Sequence, residues 1–154
     1  MVVREKNAEL AKLAYGSNFE KVASAPVTIA LFTDTDLAKR ARKIARVGGA
    51  KNFSEEQLQY FMKNLPAEFA RYNEQQISDY LALNAGLVAM NLVLALTDQG
   101  IGSNIILGFD KSKANEVLEI EERFRPELLI TVGYTDEKLE PSYRLPVDEI
   151  IEKR

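Results

Sequence analysis

Apolar residues fall in blocks along this chain, and their spacing switches between strand-like and helix-like. Val2 and Val3 read as the tail of a strand. Asn7 to Tyr15 reads as a helix, with Leu10, Leu13 and Ala14 on one face and Gly16 as its stop. Val27 to Phe32 is an unbroken apolar run between Pro26 and Asp34, the pattern of a buried strand. From Asp36 to Arg46 the period becomes helical. Leu37, Ala41, Ile44 and Ala45 form its stripe, and Gly48-Gly49 ends it.

Ser54-Glu55-Glu56-Gln57 is a capping box, with Phe53 and Leu58 placed as a hydrophobic staple. Leu58, Phe61, Met62 and Leu65 line one face until Pro66, which stops or kinks the helix. A second helix begins near Asn73 and runs to Gln99, where Gly100 ends it. From Tyr80 to Leu96 its apolar residues cover nearly the whole circumference, which predicts a central core helix rather than a membrane span. Ala82, Ala85, Gly86 and Ala89 would let another helix approach closely, and Asn84 and Asn91 share a face as core or interface amides. Ser103 to Leu107 reads as a short strand ended by Gly108. Asp110 is placed to cap Lys111 to Leu118. Leu128 to Val132 is another buried strand, ended by Gly133. Ser142 to Pro146 reads as extended, and Val147 to Lys153 as a final helix or an arm. The elements lack a regular βαβ beat, which predicts an α+β fold, and no repeat or linker divides residues 1–154 into more than one domain.

Composition narrows the chemistry. Histidine and cysteine are both absent, which excludes Ser-His-Asp and Cys-His triads, thiolate or imidazole metal sites and disulfides. No metal site and no catalytic side chain is expected, so an enzyme on this scaffold needs a cofactor. No phosphate-binding loop or dinucleotide fingerprint appears, and Gly100-Ile101-Gly102 follows a helix rather than a strand. The net charge of −3 offers no global field for nucleic acid. Lys39, Arg40, Arg42, Lys43 and Arg46 make the one basic cluster, readable as a solvated helix face or as an anion site for a phosphorylated ligand such as NADPH. No secretory signal is visible at the N-terminus and cysteine is missing, so the expected location is cytoplasmic, off the membrane.

Asn91 to Leu96, then Gly100-Ile101-Gly102-Ser103-Asn104-Ile105-Ile106-Leu107-Gly108-Phe109-Asp110, resembles the core of the FMN-dependent nitroreductase family. Ala25-Pro26-Val27 to Phe32, Leu128 to Tyr134 and Tyr143-Arg144-Leu145-Pro146 resemble further segments of that family in the same order. The resemblance implies an α+β sandwich, a mainly antiparallel sheet flanked by helices, in an intertwined homodimer with FMN at the interface. It implies ping-pong electron transfer from NAD(P)H to a nitroaromatic, a quinone or a related small-molecule acceptor.

Matched position by position, Ile105, Ile106, Leu107 and Gly108 are where the family's backbone meets the flavin, and Arg144 is where it meets the FMN phosphate. A glycine there leaves no Cβ between a backbone N–H and a ring. Ser142 stands where many relatives carry lysine. Phe61, Phe69 and Tyr72 lie in the family's variable helical excursion and are candidates for substrate contact, or for plain packing. The family's N-terminal Arg-x-Ser-x-Arg helix and its following Pro-Trp segment have no counterpart here. The expectation is therefore weaker FMN affinity. The alternative reading is a non-catalytic dimeric module, binding a ligand or a partner, from which FMN binding has been lost.

Overall fold

The computed structural model describes residues 1–136 and 143–152, with the backbone alone for 48–52. Four strands form one antiparallel sheet: β1 (Val2–Val3), β2 (Val27–Asp34), β3 (Gly102–Ile106) and β4 (Phe124–Gly133), in the order β1-β2-β4-β3. The helices are α1 (Asn7–Ala11), α2 (Asn18–Ser24), α3 (Leu37–Asn52), α4 (Glu55–Phe69), α5 (Glu74–Asp98), α6 (Ala114–Leu118) and α7 (Val147–Ile150).

Alternation along the strands gives the sheet two apolar faces. Ala30, Ile106 and Leu129 look toward α1, α2 and α6, where Leu10, Ala11, Val22, Phe109 and Leu118 complete the larger core. Leu128 and Ile130 look the other way and meet Ala89 of α5, with Ile29, Leu31, Leu92, Val93 and Val132 packed around them. At the end of β4, a Cβ on Gly133 would lie 3.0 Å from the Pro26 ring, so any larger residue there would press on β2's entry.

A register shift interrupts the β2–β4 ladder. Leu31 pairs with Leu128 but Phe32 pairs with Pro126, leaving Glu127 as the extra residue. A bulge of this kind reverses the facing of everything beyond it. Arg125 and Glu127 thereby turn toward α5, and Pro126 turns toward the opposite face with Phe32.

Several sequence expectations are corrected. The first helix stops at Ala11 rather than Tyr15, because tertiary hydrogen bonds claim the following turn. Tyr15 N–H donates to the Gly108 carbonyl at 2.9 Å, Asp110 N–H donates to the Leu13 carbonyl at 2.8 Å, and Ala14 forms a bridge with Phe109. Gly16 does adopt a left-handed φ of +55°, but beyond the helix. The sequence pattern gave no sign of α2, which buries only Val22 and so shows no apolar stripe. Helix α3 runs on through Gly48-Gly49 to Asn52, and Ile44 is exposed although its stripe-mates Leu37, Ala41 and Ala45 are buried. Helix α4 passes through Pro66, which is buried, and ends at Phe69. Ser142 and Lys153 lie outside the described residues.

Helix α5 has the predicted ends. Asn73 and Gln76 form a reciprocal capping box, and Gly100 turns the chain at a φ of +70°. Its expected burial does not hold within one chain. Leu81, Ala85 and Ala89 face the sheet, whereas Leu83, Leu87, Val88, Met90 and Leu94 are exposed. Asn84 bonds the Tyr80 carbonyl at 2.7 Å and Asn91 is exposed, so neither amide is buried in the core. By length and composition alone α5 could also cross a membrane.

Candidate functional site

The strand end at Ile105 to Gly108 is built from alternation plus a turn. Ile106 is buried in the larger core and fixes the strand. Its neighbours Ile105 and Leu107 project on the α5 side, and they are 40% and 64% exposed. They therefore form an apolar ledge at the sheet's edge that the described residues leave partly open.

Gly108 follows as a half-buried turn residue. Its carbonyl accepts from Tyr15 N–H at 2.9 Å and from Asn18 Nδ2 at 3.3 Å, which ties the strand end to α2. Its own N–H has no acceptor among the described residues. A Cβ here would come within 3.0 Å of Asn18 Nδ2, so the Asn18 contact by itself favours glycine. Just beyond, Asp110 accepts from both the hydroxyl and the N–H of Ser112, at 2.6 and 3.1 Å, and Lys113 stands 3.6 Å away. The Ser112 hydroxyl, with help from its N–H and the lysine, holds the Asp110 carboxyl below the usual carboxylate range. This cap starts the 3-10 turn Lys111–Lys113 that leads into α6.

Arg144 lies in the segment before α7. It is exposed, and among the described residues its guanidinium donates only to the adjacent Tyr143 carbonyl, at 2.8 Å. No hydrogen bond or ion pair joins it to the strand end.

The three aromatic candidates are split. Phe61 stacks on Phe53 at 4.9 Å between ring centroids and meets Tyr60 edge-on at 5.8 Å. Phe69 and Tyr72 belong to a second cluster, 5.6 Å apart, with Tyr80 of α5 as third member at 5.4 Å and 6.4 Å. Tyr80 was not singled out in the sequence, because it lies inside the continuous apolar run of α5.

A polar lock fixes the second cluster to the sheet. Arg125 donates from Nε and Nη2 to Glu127 Oε1 at 2.8 and 2.7 Å, and from Nη1 and Nη2 to the Ser78 hydroxyl and carbonyl at 2.7 and 3.0 Å. Thr33 of β2 donates its hydroxyl to the same Glu127 oxygen at 2.6 Å. The Glu127 side chain is only 9% exposed, so its charge depends on these donors. Ser78 lies two residues before Tyr80. The bulge at Glu127, not any motif, creates this arrangement.

At the same end of the sheet, Asp34 Oδ2 takes Arg40 at 3.0 Å and Arg123 at 3.7 Å, pinning the start of α3 to β2 and to the entry of β4. No group of three or more metal-binding side chains occurs among the described residues. Among the described residues the strand end offers an apolar edge and a backbone donor, while Arg144 and the two aromatic clusters make no contact with it.

Comparisons with known proteins fit that description. A family model described as the nitroreductase family matches residues 1–134. The Streptococcus pyogenes serotype M6 protein Spy0809, named as an NAD(P)H nitroreductase, is 62% identical over all of this chain, which spans 76% of that protein. The crystal structure of a nitroreductase family protein from Streptococcus pneumoniae TIGR4 superposes with a TM-score of 0.95 at 95% identity, covering all of this chain and 77% of that one. A nitroreductase from Exiguobacterium sibiricum 255-15, solved in complex with FMN, superposes with a TM-score of 0.87 at 25% identity, covering all of this chain and 75% of that one. The match to the family model and the identity carried across the whole length agree with the α+β architecture, and this chain belongs to the nitroreductase family.

Proposed function

We infer that the chain is an FMN-dependent oxidoreductase that moves electrons from NAD(P)H to a nitroaromatic, a quinone or a related acceptor, taking the two substrates in turn. The observation that carries this reading is the Gly108 N–H, a backbone donor without an acceptor among the described residues, at the end of β3 beside the exposed Ile105 and Leu107. Such a donor at an apolar edge fits the polar rim of a flat ring. Arg144, whose guanidinium meets only the Tyr143 carbonyl among the described residues, fits a phosphate. Both observations suit FMN, and a structural relative binds it.

When bound, FMN supplies the redox centre that no side chain here provides. The protein's own contribution is positional. Gly108 N–H holds the ring edge, Ile105 and Leu107 pack against the ring and keep water off it, and Ile106 anchors their strand. Arg144 neutralises the phosphate. Phe69 and Tyr72, with Tyr80, offer aromatic surface to the acceptor, and Phe61 does so from its separate cluster. The exposed apolar face of α5 is the surface on which a second copy packs, because Leu83, Leu87, Met90 and Leu94 otherwise stay in water.

The test is an absorption spectrum of the purified protein after FMN addition and gel filtration. Flavin bands that travel with the protein and bleach on adding NADH or NADPH support the reading. Protein that emerges colourless refutes it.

A further inference from the structure

The chain is acidic, yet one of its helices is not. Helix α3 carries Lys39, Arg40, Arg42, Lys43, Arg46 and Lys51 and no acid. With six cations there and a net charge of −3 overall, the rest of the chain carries −9. Arg40 is held by Asp34 at 3.0 Å. Lys39, Arg42, Lys43 and Arg46 are exposed, and among the described residues no acid lies within ion-pair distance of them. Their spacing puts them on the face opposite buried Leu37, Ala41 and Ala45. Helix packing does not need these charges. Four like charges along one face instead repel one another, at some cost to the helix.

Their helix starts at the end of the sheet where the candidate strand end lies. Helix α3 leaves β2 just after Asp34, which pairs with Phe124 at the entry of β4. Leu107 and Gly108 leave β3 beyond the Ile106–Leu129 pair, toward the same end of the sheet. Only β4 separates the two strands, about 10 Å sideways, and Asp34 lies three residues beyond Leu31, which is level with Leu107, so the start of α3 stands about 14 Å from Leu107. That is nearly two Debye lengths at physiological salt, so the cations reach a ligand that extends from the strand end rather than the strand end itself. Helix α3 also packs along α4, which carries Phe61 and Phe69.

We propose that Lys39, Arg42, Lys43 and Arg46 form a recognition surface for the 2′-phosphate of NADPH and give the phosphorylated dinucleotide its advantage over NADH. The proposal rests on the oxidoreductase reading above. The two cosubstrates differ by one phosphate monoester, which carries about −1.5 to −2 near neutral pH. Each exposed cation contributes modestly, and three together account for about a tenfold preference that salt weakens.

The test compares the FMN-loaded protein with R42Q/K43Q/R46Q. For wild type, kcat/KM for NADPH relative to NADH is expected to fall about tenfold between low and high salt. The triple variant should lose the same factor at low salt, with NADH turnover nearly unchanged. R42K/R46K, which keeps the charge, should retain the preference. A separate readout needs no turnover: calorimetric titration with adenosine 2′,5′-bisphosphate should show binding to wild type and about tenfold weaker binding to the triple variant. A preference or an affinity unaltered by the three substitutions overturns the proposal. So does a short DNA duplex that displaces the bisphosphate at equal charge concentration, since the surface would then belong to nucleic acid. If neither dinucleotide is turned over, the oxidoreductase reading fails, and the titration still decides whether α3 takes a 2′-phosphate.

Discussion

Removing Arg125 should destabilise the protein far more than removing an ordinary surface arginine. Arg125 gives two hydrogen bonds to Glu127 and two to Ser78, and its side chain is 29% exposed against 9% for Glu127. Arg125→Met leaves the carboxylate with only the Thr33 hydroxyl, and it leaves the Ser78 hydroxyl without this donor. Stranding one partner of a fully buried pair costs about 3–5 kcal/mol, and the partial exposure of Arg125 lowers this to about 2–3 kcal/mol. Glu127→Gln removes the charge but keeps an acceptor for Thr33, so it should cost less, about 1–2 kcal/mol. In R125M/E127Q no buried charge is stranded, and the double variant should fall short of the summed single costs by about 1–2 kcal/mol. Urea unfolding at one fixed protein concentration reads this directly. With a slope of roughly 2 kcal/mol/M, Arg125→Met moves the midpoint down by about 1–1.5 M. A shift under about 0.3 M, or costs that simply add, would refute the view that a desolvated charge joins α5 to the sheet.

Three further outcomes are expected. Arg144→Ala should weaken FMN binding about tenfold, the loss of one charge-assisted hydrogen bond, as read by fluorescence titration; an unchanged affinity removes Arg144 from the phosphate site. If the chain dimerises through α5 as proposed, Leu87→Lys, which puts a charge on its apolar face, should raise the dissociation constant at least about 100-fold in sedimentation, whereas self-association unaffected by it uses another surface. Asp110 has its folded-state pKa lowered by Ser112 and Lys113, so its stabilisation is present above the ordinary carboxylate pKa near 4 and is lost as pH falls below it. Asp110→Asn should therefore flatten the acid limb of a melting-temperature profile below about pH 4 while hardly changing its slope above pH 6. An equally steep acid limb in the variant excludes this carboxylate as a contributor.

The parts of the fold legible in the sequence are those with local causes. The Ser54–Gln57 capping box, the helix start at Asn73 and the stop at Gly100 each act within a few residues, and each stands where the pattern puts it. The parts that were not legible have distant causes. Helix α1 loses its last turn to hydrogen bonds with residues 108–110, almost a hundred positions away. Helix α5 is hydrophobic all round, which reads as a core helix, but pattern alone does not say whether the cover comes from the same chain. The bulge at Glu127 shows only as a register shift against β2, and it decides which face Arg125 occupies.

The candidate site follows the same logic one level up. Phe61 and Phe69 lie eight residues apart on α4, about 12 Å along its axis, so helical geometry already forbids them a shared ring-sized contact. The pairing of Phe69 with Tyr80 crosses a helix–helix turn and needs the fold. The feature that carries the functional reading is harder still to see in sequence, because a backbone N–H is common to every residue type except proline. What marks Gly108 is that its carbonyl is taken twice while its N–H finds no acceptor among the described residues. That imbalance arises from Tyr15 and Asn18, which come from a turn and a helix the apolar pattern does not mark. A cofactor enzyme that holds its ligand by main chain and charge thus leaves little trace in side-chain motifs. The order of segments along the chain identifies the family more directly than any single residue does.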